Sequence, residues 1–263
     1  MAEIDHVIAQ WISYYLPYLL ASLLLLWVLK MKGSDLRHRW FAFFMHYINK
    51  ATDPKIEELK KDFFSSLNSI TSHDPELRKK KGIKILEIGV GTGVNFQYYP
   101  DGSHLIVVDP NPHFAKYYDE NRKKFPNIHS EEILITTGEE MTGVADNSVD
   151  VVVVTLVLCS VGDAHQILKQ VVRVLVPGGK LYILEHIKEF NPDKYWIRSV
   201  LQEFLSVSGI WPFLFDGCCL NRDFHSALDS AGFSKVEAEK FYVPLTKLLF
   251  LMIKPHLKAI AVK

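Results

Sequence analysis

Apolar runs alternate with stretches of helical periodicity through the middle of the chain. The runs are rich in β-branched and aliphatic residues, as is typical of parallel strands buried on both faces. Five strands are predicted within Ile83–Ile88, His104–Asp109, Ile133–Met141, Ser148–Val161 and Val174–His186. Helices are predicted between them at Thr92–Tyr99, Asn111–Lys124 and Asp163–Leu175, the last with Asp163 as its N-cap and Gln166 as the partner in the capping box. This alternation predicts an α/β fold, with a parallel sheet covered by helices on both faces.

The pattern changes after residue 187. An insertion at residues 187–220 is rich in aromatic residues, among them Tyr195, Trp196, Phe204, Trp211, Phe213 and Phe215. Its two interpretations are an apolar roof over an acceptor site, or ordinary packing of a helix pair. A helix is then predicted at Asn221–Ala231, with Asn221 as its cap. Two strands follow at Lys235–Val243 and His256–Val262.

The N-terminal pattern is that of a membrane anchor. Val7–Leu29 has no charged residue, and as a helix it would be about 34 Å long, which exceeds a bilayer core of about 30 Å. Acidic residues precede this stretch and basic residues follow it, which predicts a lumenal N-terminus and a cytosolic remainder. Pro17 would kink the helix, so a hairpin in one leaflet is the alternative to a full span.

Between the anchor and the first strand, two helices are predicted. Arg39–Ile48 is aromatic with basic neighbours, so it either lies at the headgroup level or packs on the folded domain. Pro54–Ile70 has apolar residues at helical spacing. The predicted organisation is an anchor at 1–30, these helices at 31–70 and the α/β domain at 71–263.

The charge balance and the cysteine content limit which binding partners are expected. The 263 residues include 30 basic and 30 acidic residues, so no net charge attracts nucleic acid. The three cysteines, Cys159, Cys218 and Cys219, are neither an even set nor spaced as metal ligands. We therefore expect a reducing compartment and no bound metal.

The first predicted strand runs into Gly89, Gly91 and Gly93, and Glu87 lies two positions before them. Alternating glycines let the chain turn sharply and let a ligand lie against the backbone. Val94 stands where the dinucleotide fingerprint needs its last glycine. Asp109 ends the second strand, where a carboxylate can accept hydrogen bonds from ribose hydroxyls.

These motifs, in this order, resemble the class I S-adenosylmethionine-dependent methyltransferases. Over nearly the whole chain the sequence resembles the methyltransferase-like protein 7 family, which are alkyl thiol S-methyltransferases of the endoplasmic reticulum and lipid droplets. The resemblance rests on LEIGVGTGVNFQYYP (Leu86–Pro100), IVVDPNPHF (Ile106–Phe114), SVDVVVVTLVLCSV (Ser148–Val161), RVLVPGG (Arg173–Gly179), LEHI (Leu184–Ile187), LFDGC (Leu214–Cys218) and the C-terminal PHLKAIAVK.

The resemblance implies a Rossmann-like sheet of seven strands, mostly parallel, with an antiparallel C-terminal strand. It also implies S-adenosylmethionine as the cofactor, a small apolar thiol as the substrate, and a role for the Pro54–Ile70 helix in covering the cofactor pocket. The expected cofactor-binding residues are Glu87, Gly89, Gly91, Gly93, Asp109, Pro110, Gly138, Glu139, Thr155 and Leu156. The expected location is the endoplasmic reticulum membrane and lipid droplets, with the catalytic domain in the cytosol.

His186 and Asp216 are the candidate catalytic residues. His186 follows the fifth strand and has a side chain that titrates near neutral pH. Its structural alternative is a cap on the strand end or a hydrogen bond to Glu185. For Asp216, the alternative is turn formation with Gly217. A free thiol ionises with a pKa of about 8.5, so alignment of a spontaneously formed thiolate is also sufficient.

Two other functions remain open. One is methylation of a lipid or isoprenoid quinone at carbon or oxygen, and the other is a non-catalytic membrane adaptor that keeps the fold. The intact glycines and Asp109 argue against loss of the cofactor site. Nucleic-acid methylation is disfavoured, because Thr155–Leu158 (TLVL) stands where such enzymes carry an Asn/Asp-Pro-Pro-Tyr/Phe motif.

Overall fold

The computed structural model describes residues 2–50, 53–131, 133–245 and 247–263, without the side chains of residues 1–13, 23–32, 248 and 249. Internal packing divides the chain into two units, Met1–Trp40 and Phe41–Lys263. Helix α1 (Ala2–Asn49) contains Pro17. Across the described residues, no helix is both long enough and apolar enough to cross a bilayer. Because residues 7–13 and 23–29 have side chains outside the description, the anchor at Val7–Leu29 stays a prediction.

In the second unit the described residues form one sheet of seven strands. They are β1 (Lys84–Ile88), β2 (His104–Val108), β3 (His129–Ser130), β4 (Val149–Thr155), β5 (Leu175–His186), β6 (Lys235–Tyr242) and β7 (Pro255–Val262). Their spatial order is β3-β2-β1-β4-β5-β7-β6. β7 runs antiparallel to its neighbours β5 and β6, and the other pairs are parallel. The predicted fold class is confirmed. The strand order reverses direction between β1 and β4, and ligands of such sheets bind at the carboxyl edge of that point.

The helices of this unit cover both faces of the sheet. They are α2 (Pro54–Ser65), α3 (Pro75–Lys79), α4 (Ala115–Arg122), α5 (Ala164–Val174), α6 (Trp196–Val207), α7 (Ile210–Leu214) and α8 (His225–Ser230). On β4, Val152 and Val154 belong to the core that includes the buried residues of α5 and α8. Val151 and Val153 belong to the opposite core, with Phe63 and Phe64 of α2. Alternating side chains of one strand thus fill two cores, which is why β4 is apolar throughout.

Two predicted elements near the sheet are wrong. The third strand was expected at Ile133–Met141, but β3 is His129–Ser130, and Leu134 makes only an isolated bridge to Val108. The segment then leaves the sheet, as the exposure of Ile135 shows. The helix expected at Thr92–Tyr99 is instead a series of turns with a short 3₁₀ helix at Phe96–Tyr98, because Gly93 has a positive φ that no α-helix accommodates.

Of the helix caps predicted at Asp163 and Asn221, one is confirmed and the other is wrong. Asp163 caps α5 as predicted, since its Oδ1 accepts hydrogen bonds from the backbone N–H groups of His165 and Gln166. The predicted cap Asn221 is wrong, because α8 begins only at His225. The side chain of Asn221 donates instead to Glu203 on α6, 3.0 Å away.

The last part of α1 belongs to the second unit, and some of its aromatic residues pack there, while Phe43 and Tyr47 remain exposed. Phe41 meets Phe114 edge to face, and His46 stacks on Tyr117 with ring centroids 4.2 Å apart. Asn49 Nδ2 donates to Thr92 Oγ1 of the glycine-rich loop at 2.9 Å. From residue 41, part of Arg39–Ile48 therefore packs on the domain, and its placement at the headgroup level stays a prediction.

Candidate functional site

The glycine-rich loop and the end of β2 are joined by one carboxylate. Asp109 follows β2 and is buried, and its Oδ2 accepts from Gly91 N–H at 2.9 Å. Its Oδ1 accepts from Asn111 N–H, also at 2.9 Å. Burial raises the pKa of Asp109 to about 6; the two backbone donors lower it and the charge of Asp216 raises it. Asp216, in the loop after α7, thus lies near enough to Asp109 to act on its charge.

A second buried carboxylate, Glu87, lies on β1 beside the same loop. Its Oε1 accepts from Asn95 Nδ2 at 2.6 Å, and the same amide donates to Thr155 Oγ1 at the end of β4 at 2.9 Å. Among the described residues, Glu87 Oε2 has no hydrogen bond of normal geometry. Burial raises the pKa of Glu87 to about 7, against the lowering effects of Tyr99, Asn95 and Lys60. Asn95 and Lys60 were not among the predicted site residues.

The turn after β4 is strained and braced from β5. Leu156 has a φ of +57° and remains 44% exposed, which is uncommon for a residue with a branched side chain. Glu185 Oε1 accepts from the N–H groups of Val157 and Leu158, at 2.5 and 2.9 Å. Burial raises the pKa of Glu185 to about 7. Such strain is common at ligand sites, and here Glu185 holds the turn in place.

The other predicted cofactor residues are spread around this edge. Pro110 is exposed directly after Asp109. Gly138 is buried, and a Cβ there would lie 2.9 Å from Ile88 and 3.0 Å from Ile167. Glu139 Oε1 accepts from the N–H groups of Gly162 and Asp163 at the start of α5, at 3.0 and 3.3 Å. Glu139 is thereby tied to a helix terminus.

His186, the last residue of β5, faces sulfur rather than a carboxylate. Its Nε2 lies 3.0 Å from Cys218 Sγ, and its side chain is buried. The expected structural alternative, a hydrogen bond to Glu185, is therefore wrong. Cys159 lies in the same cluster, and its contact with the Cys218 thiol, together with burial, raises the pKa of Cys159 well above its usual value.

The three loop glycines have different surroundings. All have positive φ, at +66°, +52° and +73° for Gly89, Gly91 and Gly93. A Cβ on Gly89 would lie 2.3 Å from Val157, and one on Gly93 would lie 2.5 Å from Phe96. At Gly91 a Cβ would meet only the Phe114 ring, at 3.8 Å. Gly91 therefore leaves room for a ligand against the backbone. Gly89 and Gly93 must be glycines for a different reason, because nearby protein atoms leave no space for a side chain.

Glu87 Oε2, which has no hydrogen bond of normal geometry among the described residues, and the uncrowded backbone at Gly91 fit a ligand with an ammonium group and ribose hydroxyls. Residues 86–183 match the family model described as a methyltransferase domain. The chain is 36% identical over 248 residues to human thiol S-methyltransferase TMT1B, covering 94% of this chain and 93% of that one. It is also 36% identical over 226 residues to human thiol S-methyltransferase TMT1A, covering 86% of each. The chain belongs to the thiol S-methyltransferase TMT1A/TMT1B family.

This thiol S-methyltransferase family member is an S-adenosylmethionine-dependent enzyme, as the methyltransferase domain and its curated relatives establish. The predicted family and cofactor are confirmed. Its fold is also that of the YcgJ protein from Bacillus subtilis, with a TM-score of 0.51 at 14% identity, covering 69% of this chain and 92% of that one. In this family member, Glu87 and Asp109 are the residues whose surroundings suit the cofactor.

A pair of alanine variants of this methyltransferase separates ligand space from protein packing. Gly91→Ala is expected to weaken S-adenosylmethionine binding several-fold, because the new methyl group clashes with no protein atom but occupies the side of the loop against which the ligand would lie. Its strain at positive φ costs about 1–2 kcal/mol of stability. Gly89→Ala is expected to cost more stability, since its methyl group clashes with Val157. Calorimetric titration and thermal denaturation of both variants measure the two effects, and equal profiles would contradict the distinction.

Proposed function

We propose that this enzyme transfers a methyl group from S-adenosylmethionine to small apolar thiols at the cytosolic face of a membrane. The observation that carries the proposal is the hydrogen bond from Cys219 N–H to the carbonyl of Cys159, at 2.8 Å, because it joins the end of the aromatic insertion to the turn after β4 that carries Leu156. The curated relatives named as thiol S-methyltransferases support the choice of acceptor.

The acceptor side of this edge is apolar. Phe215 lies between two other rings, with centroids 4.2 Å from Trp211 and 5.7 Å from Phe44. Leu156 is exposed on the neighbouring turn. Such a surface excludes water and favours an apolar acceptor over a charged one. The aromatic insertion is interpreted either as an apolar roof over the acceptor site or as packing of a helix pair. For the segment around Phe215, the proposal adopts the first interpretation.

The side chains of this protein would bind the cofactor and align its methyl group with the acceptor. Bound S-adenosylmethionine supplies a methyl group on a sulfonium, which is already a reactive electrophile. Asp109 would accept hydrogen bonds from the ribose hydroxyls, and Glu87 Oε2 one from the ammonium group. Asn95 keeps Glu87 at a fixed distance from Thr155. Alignment of this kind supplies a large part of the barrier reduction in bimolecular reactions.

A separate base is not required by this proposal. A free thiol is ionised to a few per cent at pH 7, and thiolates are strong nucleophiles. His186 is buried against Cys218, and Asp216 lies near Asp109, so neither is assigned a proton-transfer step. Their predicted roles as bases stay predictions.

The proposed reaction is tested with isotopically labelled S-adenosylmethionine and a panel of alkyl thiols, catechols and quinones. We expect mass spectrometry to find the label in methyl thioethers, with alkyl thiols preferred. Label in catechol or quinone products alone would instead establish the lipid or quinone methyltransferase. Cofactor binding without transfer to any acceptor would favour the adaptor function.

Helix α6 supports the membrane part of the proposal, because polar side chains of this helix face the protein interior and large apolar side chains face outward. On α6 the polar side chains of Gln202 and Ser206 are buried, and they hydrogen-bond to Glu189 N–H and Leu220 N–H. The exposed large apolar residues of α6 and α7 are Trp196, Ile197, Val200, Leu201, Phe204, Val207, Ile210, Phe213 and Leu214. A helix with this outward face suits the boundary between headgroups and acyl chains.

Charges on that face are expected to reduce membrane association. The test uses a protein that begins at Phe41, because Phe41–Lys263 is a unit by internal contacts and the predicted anchor is then absent. Phe204→Glu with Val207→Glu should lower its affinity for phosphatidylcholine vesicles at least tenfold, since burying each apolar side chain contributes about 1.5–3 kcal/mol.

The matched control places the same two charges at Asn127 and Ser230, which are exposed on other elements. Vesicle cosedimentation of the two double variants should differ, while the full chain should stay membrane-bound in both through the predicted anchor. Equal binding by both truncated double variants would remove α6 and α7 from the membrane proposal.

A further inference from the structure

Three potential metal ligands from distant parts of the sequence meet at the carboxyl edge of the sheet. Cys159 lies on the turn after β4, His186 ends β5, and Cys218 lies in the loop after α7. Each offers one ligand atom, and the three atoms lie within 4.8 Å of one another. All three residues are buried, with exposures of 2%, 3% and 8%. Since 32 residues separate His186 from Cys218, no local spacing in the sequence revealed the cluster.

The contacts of the cluster differ from those of cysteines that only fill a core. His186 presents Nε2 to Cys218 Sγ, so Nε2 is the nitrogen available to a metal ion between the sulfurs. The other ring nitrogen, Nδ1, is buried and has no hydrogen-bond partner among the described residues. The indole N–H of Trp211 donates to Cys218 Sγ at 3.4 Å. Donors of this type stabilise negative charge on sulfur, and such outer contacts are usual around metal-bound ligands.

The segments that carry the two cysteines are also tied together. Cys219 N–H donates to the carbonyl of Cys159 at 2.8 Å. Arg222 Nη1 donates to the carbonyls of Leu158 and Val161 on either side of Cys159, at 2.9 and 2.5 Å. The ligand atoms are therefore held by backbone contacts that do not depend on an ion.

We propose that Cys159, His186 and Cys218 bind one Zn²⁺ ion through two thiolates and one imidazole, with the fourth position open to the sulfur of the acceptor. Zinc bonds of about 2.3 Å to sulfur and 2.0–2.1 Å to nitrogen place tetrahedral ligand atoms roughly 3.5–3.8 Å apart. To reach this geometry, the 3.0 Å separation of His186 Nε2 and Cys218 Sγ must widen slightly, and any wider separation within the 4.8 Å cluster must shorten. Two soft sulfurs and an imidazole favour zinc over magnesium or calcium. Three protein ligands with one open position are typical of catalytic zinc sites.

The role of the fourth position rests on the proposed function. Binding of the ion displaces one proton from each cysteine to solvent. An acceptor thiol that coordinates as a thiolate releases its own proton in the same way. Its sulfur then forms a bond to the methyl carbon while the bond from that carbon to the sulfonium sulfur breaks, and the electron pair of that bond stays on the departing thioether of S-adenosylhomocysteine. The methylated acceptor is a neutral thioether, a weaker ligand that can leave.

The site is tested on the full chain in detergent, purified with a phosphine reductant and without chelator, then supplied with Zn²⁺ and freed of excess. We expect mass spectrometry of metals to find about one zinc per chain. Cys159→Ser, Cys218→Ser and His186→Asn should each retain less than one tenth of it. Cys219→Ser is the matched control and should retain all of it. Zinc content in the three ligand variants equal to that of the control would overturn the proposal.

A second measurement uses the unmodified sequence, so it does not depend on the folding of variants. After removal of zinc by a chelator, Co²⁺ should produce the intense visible absorption of a tetrahedral thiolate site. Adding an alkyl thiol without S-adenosylmethionine should shift those bands. Absence of tetrahedral cobalt bands, or recovery of a Cys159–Cys218 disulfide from unreduced protein instead of metal, would overturn the site.

The two hypotheses fail separately. Unchanged thiol methylation after zinc removal would overturn the activating role of the ion while the proposed function stands. A zinc-loaded protein that shows the cobalt bands but methylates no thiol would overturn the proposed function, and the metal site would stand.

Discussion

Replacing Asp109 with alanine is expected to weaken S-adenosylmethionine binding by about 10²- to 10⁴-fold. The carboxylate already accepts from Gly91 N–H and Asn111 N–H, and each oxygen keeps a second lone pair for a ribose hydroxyl. A hydrogen bond to a charged group contributes about 1.5–3 kcal/mol, and two are lost. Calorimetric titration with S-adenosylmethionine measures the change, and unchanged affinity would contradict the role of Asp109.

Asp109→Asn is the matched control for this experiment. It keeps the size of the side chain and one acceptor oxygen, so its loss of affinity should be smaller than that of alanine. The pKa of Asp109 is raised to about 6, mainly by burial. Affinity of the unmodified enzyme should therefore fall as the pH drops below about 6, because protonation removes the charged acceptor. The alanine variant should lack this pH dependence.

Replacing Glu87 with glutamine is expected to stabilise the ligand-free protein at pH 8 while weakening cofactor binding on the order of tenfold or more. Glu87 is 1% exposed, and burial raises its pKa from 4.5 to about 7. Keeping a charge there costs stability, up to about 3 kcal/mol for such a shift. Glutamine can still accept from Asn95 but cannot pair with the ammonium group of the cofactor.

The direction of the pH effect follows from proton binding. Below pH 4.5 the carboxyl is protonated in both the folded and the unfolded protein, and the variant has no advantage. Between pH 4.5 and about 7 the folded state holds a proton that the unfolded state has lost, so stability falls as pH rises. Above pH 7 the loss is complete. Thermal denaturation of both proteins from pH 4 to pH 8 should show the gap opening over this range; a constant gap would contradict the assignment.

The elements of the fold that can be predicted from the sequence are those that form for one dominant physical reason. β4 is apolar on both faces because two cores meet it, and this composition marks it in the sequence. β3 has only two residues, and its pairing partners are the first two residues of β2, so no hydrophobic run could mark it. The capping residue Asp163 was found because its hydrogen bonds are local.

The sequence predicts those residues of the candidate site that lie at or directly after the end of a strand. Glu87, Gly91 and Asp109 lie on adjacent strand ends, and the glycine spacing indicates a ligand loop. Asn95 acts across the sheet, joining β1 to Thr155 on β4, and nothing in its immediate sequence marks that contact. The sulfur surroundings of His186 depend on a residue 32 positions away. Such contacts follow from tertiary packing, which the local pattern does not contain.

The hydrogen bonds of the glycine-rich loop have a consequence for the speed of ligand capture. Asp109 holds Gly91, Asn95 holds Glu87, and Asn121 Nδ2 donates to the carbonyl of Gly93 at 2.6 Å, all through contacts within the chain itself. A loop ordered in advance costs the incoming ligand little conformational entropy. Association of S-adenosylmethionine should therefore follow a single exponential, with a rate that rises linearly with ligand concentration and shows no plateau from a slow loop rearrangement.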